Sequence, residues 1–146
     1  MHSAIVDFAN KQKVASISCV DDHGFPYCFS CFYSFNPESG LLHFKSTESS
    51  YHCMLLMKRR QVAGTILPNK LNTLAIQGIQ FQGELLEDDD PLAEDASKSY
   101  HLKYPFAIAM SGKVWTIKIQ QIKMTDNTKG FGTKHHWSSE EAALLS

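Results

Sequence analysis

Two long apolar runs in this chain change face part-way along. Between residues 73 and 86 the apolar side chains first fall on even positions (Leu74, Ile76) and then on odd ones (Ile79, Phe81, Leu85). Between residues 113 and 125 they begin odd (Trp115, Ile117, Ile119) and end even (Ile122, Met124). Alternation with a period of two marks a strand with one buried face. A break in phase needs an extra residue, so a β-bulge or sharp bend is predicted at Gln77-Gly78 and at Gln120-Gln121. Such bends let a sheet curl and close. A flat sheet does not suit this pattern; a small barrel does.

The other segments fit that reading. Residues 3–12 are predicted as a helix capped by Ser3, with Ile5, Phe8 and Ala9 on one face. Strands are expected over residues 13–20, 26–35, 41–46 and 61–67, with turns at Asp22-His23-Gly24 and Asn36-Pro37-Glu38-Ser39-Gly40. Helices are expected over 49–59, from Asp90-Pro91 to about 103, and over 138–145. Strand follows strand mostly through hairpins, which disfavours a parallel sheet. The expected fold is therefore mainly β: a small six-stranded barrel with flanking helices packed outside. A length of 146 residues suits one domain over residues 1–146. A domain of that size buries roughly 70% of its unfolded surface, so it folds without a staple.

Charge narrows the partners. The net charge is −1, from 14 basic and 15 acidic side chains, which speaks against a nucleic-acid binder. Lys58-Arg59-Arg60 and Glu87-Asp88-Asp89-Asp90 read as solvated ends of elements. No basic start leads into an apolar run, and no apolar stretch reaches about 18 residues, so neither a signal peptide nor a membrane span is indicated and a cytoplasmic protein is expected. Cys28-Phe29-Ser30-Cys31 has CxxC spacing, but residues three apart on a strand face opposite ways. Cys19, Cys28, Cys31 and Cys53 are accordingly expected as buried, reduced thiols, with no metal site.

Three places could carry chemistry. Ser46, Thr47, Ser50 and His52 bring hydroxyls and an imidazole to the start of the 49–59 helix, where unpaired amides favour an anion. The same hydroxyls are also how helices ordinarily begin. Ser30 and Phe32 share the second strand's less apolar face, to be covered by a ligand, a partner or a helix. The segment from Met124 to Trp137 mixes turn residues, cations and aromatics, and composition alone makes it a surface loop.

Val14-Ala15-Ser16-Ile17, Gly24-Phe25-Pro26, Phe32-Tyr33, and Phe44-Lys45-Ser46-Thr47 leading to Ser50-Tyr51-His52 resemble the pyridoxamine-phosphate-oxidase-like split-barrel family. Val62-Ala63-Gly64-Thr65 and Gln77-Gly78-Ile79-Gln80-Phe81-Gln82-Gly83-Glu84 continue the likeness, and the ending through Thr125-Asp126-Asn127 and Gly130-Phe131-Gly132-Thr133-Lys134-His135-His136-Trp137 is similar to a small, functionally uncharacterised bacterial branch. The resemblance implies a six-stranded antiparallel split barrel of Greek-key type, a homodimer with FMN at the interface, acting as a flavin-dependent oxidoreductase or flavin reductase-like protein with a nicotinamide or other small-molecule donor. It implies phosphate contacts at Ser46, Thr47, Ser50 and His52, ring contacts along Ser30, Cys31 and Phe32, and partner contributions from Gln77 and Gln80. Phe131, Lys134 and Trp137 would close the site, Trp137 as a stacking lid. The family's oxidase has an Arg-Lys pair where this chain has Tyr51-His52, and an arginine in place of Gln77. Pyridoxamine phosphate oxidation itself is therefore not implied, and a protonated His52 would have to replace part of the missing charge. Two alternatives stand beside the enzyme: a non-catalytic flavin or haem storage module, with His52, His135 or His136 on the iron, and a structural dimer whose site has decayed.

Overall fold

The first strands form a Greek key. A computed structural model describes the backbone of residues 1–145 and the side chains of residues 1–142. β1 (Val14–Val20), β2 (Pro26–Asn36) and β3 (Leu41–Ser46) run as a meander, and β4 (Gln61–Ile66) returns to lie beside β1. β5 (Gln77–Leu85) and β6 (Lys113–Asp126) follow, and β6 pairs back onto β3 to close a six-stranded antiparallel barrel. A seventh strand, β7 (Lys134–Ser138), pairs with β6 outside the barrel. It arises from the segment expected to be a loop.

Only one of the two predicted phase breaks is a bulge. In β6, Gln120 and Gln121 are both exposed between buried Ile119 and Ile122. Opposite them the register slips, with Gln82 facing Gln121 and Gly83 facing Ile119. Gly83 is required there, because a Cβ would lie 2.5 Å from the Lys118 carbonyl oxygen. The expected break at Gln77-Gly78 is not a bulge. β5 begins at Gln77, and Leu74 and Ile76 belong to the exposed connection before it.

The helices seal the barrel. α1 (Ser3–Lys11) contributes Ile5, Phe8 and Ala9 to the main core, and α2 (Tyr51–Lys58) contributes Cys53, Leu55 and Leu56. α1 is capped by the ring of His2, whose Nδ1 accepts from the Ala4 amide, rather than by Ser3. α3 (Ala96–Lys103) packs on β2, β3 and β6. Beneath it lies a buried cross-strand row of Ser34, His43 and Thr116. The helix expected from Asp90-Pro91 is split, with a single 3-10 turn (Pro91–Ala93) before α3. α4 (Ser139–Leu145) follows β7 directly.

The rest of the barrel's outer wall lies outside α3. Matched positions across β2, β1, β4, β5, β6 and β7 place Ser30, Ser16, Thr65, Gln80, Lys123 and His136 in one polar row. Their neighbours Ile17, Phe81 and Ile122 point the other way into the core. An open concavity of about 1100 Å³ covers this wall and is bounded by Trp137 and the start of α4. No described helix is long and apolar enough to cross a membrane.

Candidate functional site

The junction of β3 and α2 draws three of the expected residues into contact. Ser46 Oγ lies 2.8 Å from His52 Nε2, and Ser50 Oγ lies 3.3 Å from each. β3 delivers Ser46 and the first turn of α2 delivers the other two. Trp115 fixes the end of β3 by donating its Nε1–H to the Ser46 carbonyl at 2.9 Å. The His52 ring stacks on Phe29 of β2, with centroids 3.9 Å apart and planes 12° apart. Phe29 and Trp115 were not expected here. The parity of β2 could have found Phe29, since it alternates with Ser30 and so faces the barrel end where α2 sits.

Ser50 occupies the N-cap of α2 without capping it. Its hydroxyl donates to the Thr47 carbonyl at 2.8 Å and makes no bond to a first-turn amide. The first amides of a helix have no partner within it. No acidic residue occupies that turn, and the nearby Glu48 is drawn to Lys113 at 3.1 Å. The cluster thus offers hydroxyls and unpaired amides, a donor set suited to a phosphate or another oxyanion. Burial pushes the His52 pKa down. Burial thus works against the protonated His52 that would replace part of the missing charge.

The remaining residues are spread over the wall and the far end. Ser30 is exposed and 3.3 Å from Ser16 Oγ. Phe32 is half-exposed and meets Tyr104, so α3's end covers it only in part. Cys31 points inward, where burial pushes its thiol up to about 12, so of that residue only the backbone is offered to a ligand, beside the exposed Ser30 and Phe32 side chains. Of the four cysteines, Cys19 and Cys53 are buried, but Cys28 is exposed on the outer wall, contrary to expectation. Gln80 lies in the polar row. Gln77 does not; its amide donates to buried Asp126 at 3.3 Å.

Asp126 organises the turn between β6 and β7. It accepts from Gln77, from the Thr128 amide at 3.1 Å and from the Thr128 hydroxyl. These bonds hold its carboxyl below the usual value despite the opposing effect of burial. The Gly132 amide donates to Asn127 Oδ1, and the Thr133 hydroxyl donates to the Gly130 carbonyl. Phe131 stands at the tip of this braced turn, 100% exposed. Lys134 is exposed at the start of β7. Trp137 is no free lid in its own protomer: it is half-buried against the core, and a Cβ at Gly40 would come within 2.9 Å of its ring. Thr47 is exposed beside the α2 cluster.

No protein-family model matches the chain. Among curated proteins, a UPF0306 protein of Enterobacter sp. strain 638 is 34% identical over 139 residues, covering 95% of this chain and 97% of that one. The chain belongs to the UPF0306 family. UPF0306 protein YhbP of Escherichia fergusonii is 33% identical over 135 residues, covering 92% and 91% of the two chains. Among solved structures, this UPF0306 chain is similar to a haem-binding protein from Mycobacterium smegmatis, with a TM-score of 0.74 at 15% identity. That match covers 99% of the UPF0306 chain and 61% of the larger protein. A FAD-binding protein from Mesorhizobium loti gives a TM-score of 0.66 at 12% identity, covering 86% and 95%. HutZ, the haem storage protein of Vibrio cholerae, gives 0.62 at 13%, covering 92% of each. At these identities the UPF0306 chain shares a fold with them, the split barrel.

Proposed function

We propose that this UPF0306 protein is a homodimer that binds FMN at two symmetric sites and works as a flavin-dependent oxidoreductase or flavin reductase. The observation that carries the reading is the uncapped start of α2, where Ser46, Ser50 and His52 converge beside free amides. FMN ends in a phosphate, and this donor set fits one. When bound, the flavin supplies the hydride chemistry and the protein supplies position and electrostatics. The first-turn amides and Ser46 hold the phosphate oxygens, Ser50 turns its hydroxyl from the Thr47 carbonyl to join them, and stacking on Phe29 keeps the His52 ring where Nε2 faces them. Ser30 and the Cys31 backbone line the ring side along β2. Likeness in fold to a FAD-binding protein supports a flavin on this barrel.

The test is the absorbance spectrum of the purified protein, followed by fluorescence titration with FMN and with riboflavin. FMN binding that weakens by roughly tenfold in Ser46→Ala/Ser50→Ala, with riboflavin unaffected, is the expected result. No flavin spectrum and no uptake of added FMN would end the reading. Bleaching by NADH or NADPH then separates an enzyme from a carrier.

A second reading is haem binding or storage. It is favoured by His136, exposed on β7 and bordering the large concavity, and by the haem-binding proteins that share the fold. A Soret band that His136→Ala abolishes would establish it in place of the first.

A further inference from the structure

The joint between α1 and β1 is held by side chains from two directions. Asn69, in the connection after β4, donates Nδ2 to the Lys11 carbonyl at 3.3 Å and accepts from the Lys13 amide at 3.2 Å. From the end of α3, Tyr104 places its hydroxyl 2.6 Å from the Tyr33 carbonyl and 3.1 Å from the Lys13 carbonyl. Between these ties stands Lys103, whose Nζ donates to the carbonyl of buried Gln12 at 2.7 Å.

Lys103 is set apart from the other cations by what surrounds it. Lys58, Arg59, Arg60 and Lys113 each meet a carboxylate, and Lys11, Lys70, Lys98 and Lys123 stand exposed. Lys103 has neither kind of support. It is half-buried, its nitrogen lies 4.7 Å from the centre of the Tyr33 ring and 5.5 Å from that of Tyr104, and it meets no carboxylate among the described residues. Its charged neighbour is a second cation, Lys13. An amine withdrawn from water without a counter-ion is driven toward its neutral form, and a like charge beside it adds to the effect. The two rings attract the cation without offsetting that. Burial, with Lys13, brings the Lys103 pKa from 10.5 down to about 8. The surrounding phenols stay protonated, Tyr104 pushed up to about 12 and Tyr33 raised by burial. An apolar cradle with a neighbouring cation is the setting in which a lysine becomes a nucleophile.

We propose that Lys103 is a site of covalent acylation, its Nζ taking an acyl group from an acyl phosphate. The neutral nitrogen attacks the acyl carbon, and the N–C bond forms as the C–O bond to phosphate breaks. Inorganic phosphate leaves and the surplus proton on nitrogen passes to water. The product is an uncharged amide, so the Gln12 carbonyl loses its ammonium partner and α3 loses its cationic hold on the joint between α1 and β1.

The experiment is incubation of the wild-type protein with acetyl phosphate, with the acetylation of each lysine followed by peptide mass spectrometry. Lys98, exposed on the same helix, is the internal standard. At pH 8 Lys103 holds roughly a hundredfold more neutral amine than an ordinary lysine. A weaker base attacks more slowly, so acetylation about tenfold faster at Lys103 than at Lys98 is the net expectation. The Lys103 rate should level off above about pH 8 while the Lys98 rate keeps climbing. In urea, where both side chains are in water, the two should react alike. Equal or slower acetylation of Lys103 in the folded protein, a rate at Lys103 that climbs with pH as that of Lys98 does, or a preference that persists in urea overturns the proposal.

Discussion

Acidification should destabilise this fold through His43. The ring is 2% exposed beneath α3, with Nδ1 3.0 Å from the Thr116 hydroxyl. Burial pushes its pKa from 6.5 down to about 4. The same face of β3 carries Lys45, bonded to His101 of α3, so the cationic form of His43 gains no help there. His43 is a base, so the unfolded chain binds its proton near pH 6.5 while the folded chain waits until about pH 4. Between those values the unfolded state holds more protons, and stability falls as pH falls. From pH 7 to pH 5 the loss from this group alone is about 2 kcal/mol. His52 is shifted in the same direction and adds to it. Asp22 and Asp126 are lowered from 3.8, so their contributions fade only at more acid pH. Urea unfolding at pH 7, 6 and 5 measures the slope, with His43→Asn as the control that removes the titrating ring. The variant should be less stable at pH 7 and lose about 2 kcal/mol less on going to pH 5. Equal losses in the two proteins would refute the reasoning.

Further outcomes can be checked by melting or chemical modification. Gly64→Ala should cost about 1–3 kcal/mol, because its Cβ would meet the Phe81 ring at 2.3 Å and the Ser16 carbonyl at 2.7 Å; an unchanged urea midpoint would contradict that fit. Tyr33→Phe removes a buried hydroxyl that donates to the Ala9 carbonyl at 2.5 Å and should cost about 1–2 kcal/mol in the same assay. Gly40→Ala should lower the melting temperature, since φ is +66° and the Trp137 ring is in the way. Cys31, inward-facing with its pKa near 12, should resist a thiol reagent at pH 8 until the protein unfolds.

The barrel was legible where alternation met burial. The break at Gln120-Gln121 could be read because both glutamines interrupt apolar runs that truly face the core. The false break at Gln77-Gly78 came from Leu74 and Ile76, which alternate like strand residues yet stand exposed in a connection, Leu74 at 94%. An alternating pattern does not say whether a ladder partner exists. β7 escaped for the complementary reason. Lys134 to Ser138 have weak strand character, and the segment is extended because β6 offers it a free edge. At the site, the hydroxyls at the start of α2 could be read from spacing. The downward shift of the His52 pKa could not, because it comes from burial, a product of the tertiary fold.

The long β6 spends one of its edges on two different strands, residues 113–118 on β3 and residues 121–125 on β7. Closing the barrel uses only the first half. Without β7 the second half would present a row of bare amides and carbonyls to solvent, flanked by Ile122 and Met124. That is the kind of template on which strands of other molecules stack. β7 moves the exposed edge to a five-residue strand bearing Lys134, His135 and His136, too short and too polar to nucleate such growth. A chain ending at Asp126 would therefore keep its barrel pairings and stack on further copies through the edge that β7 now occupies.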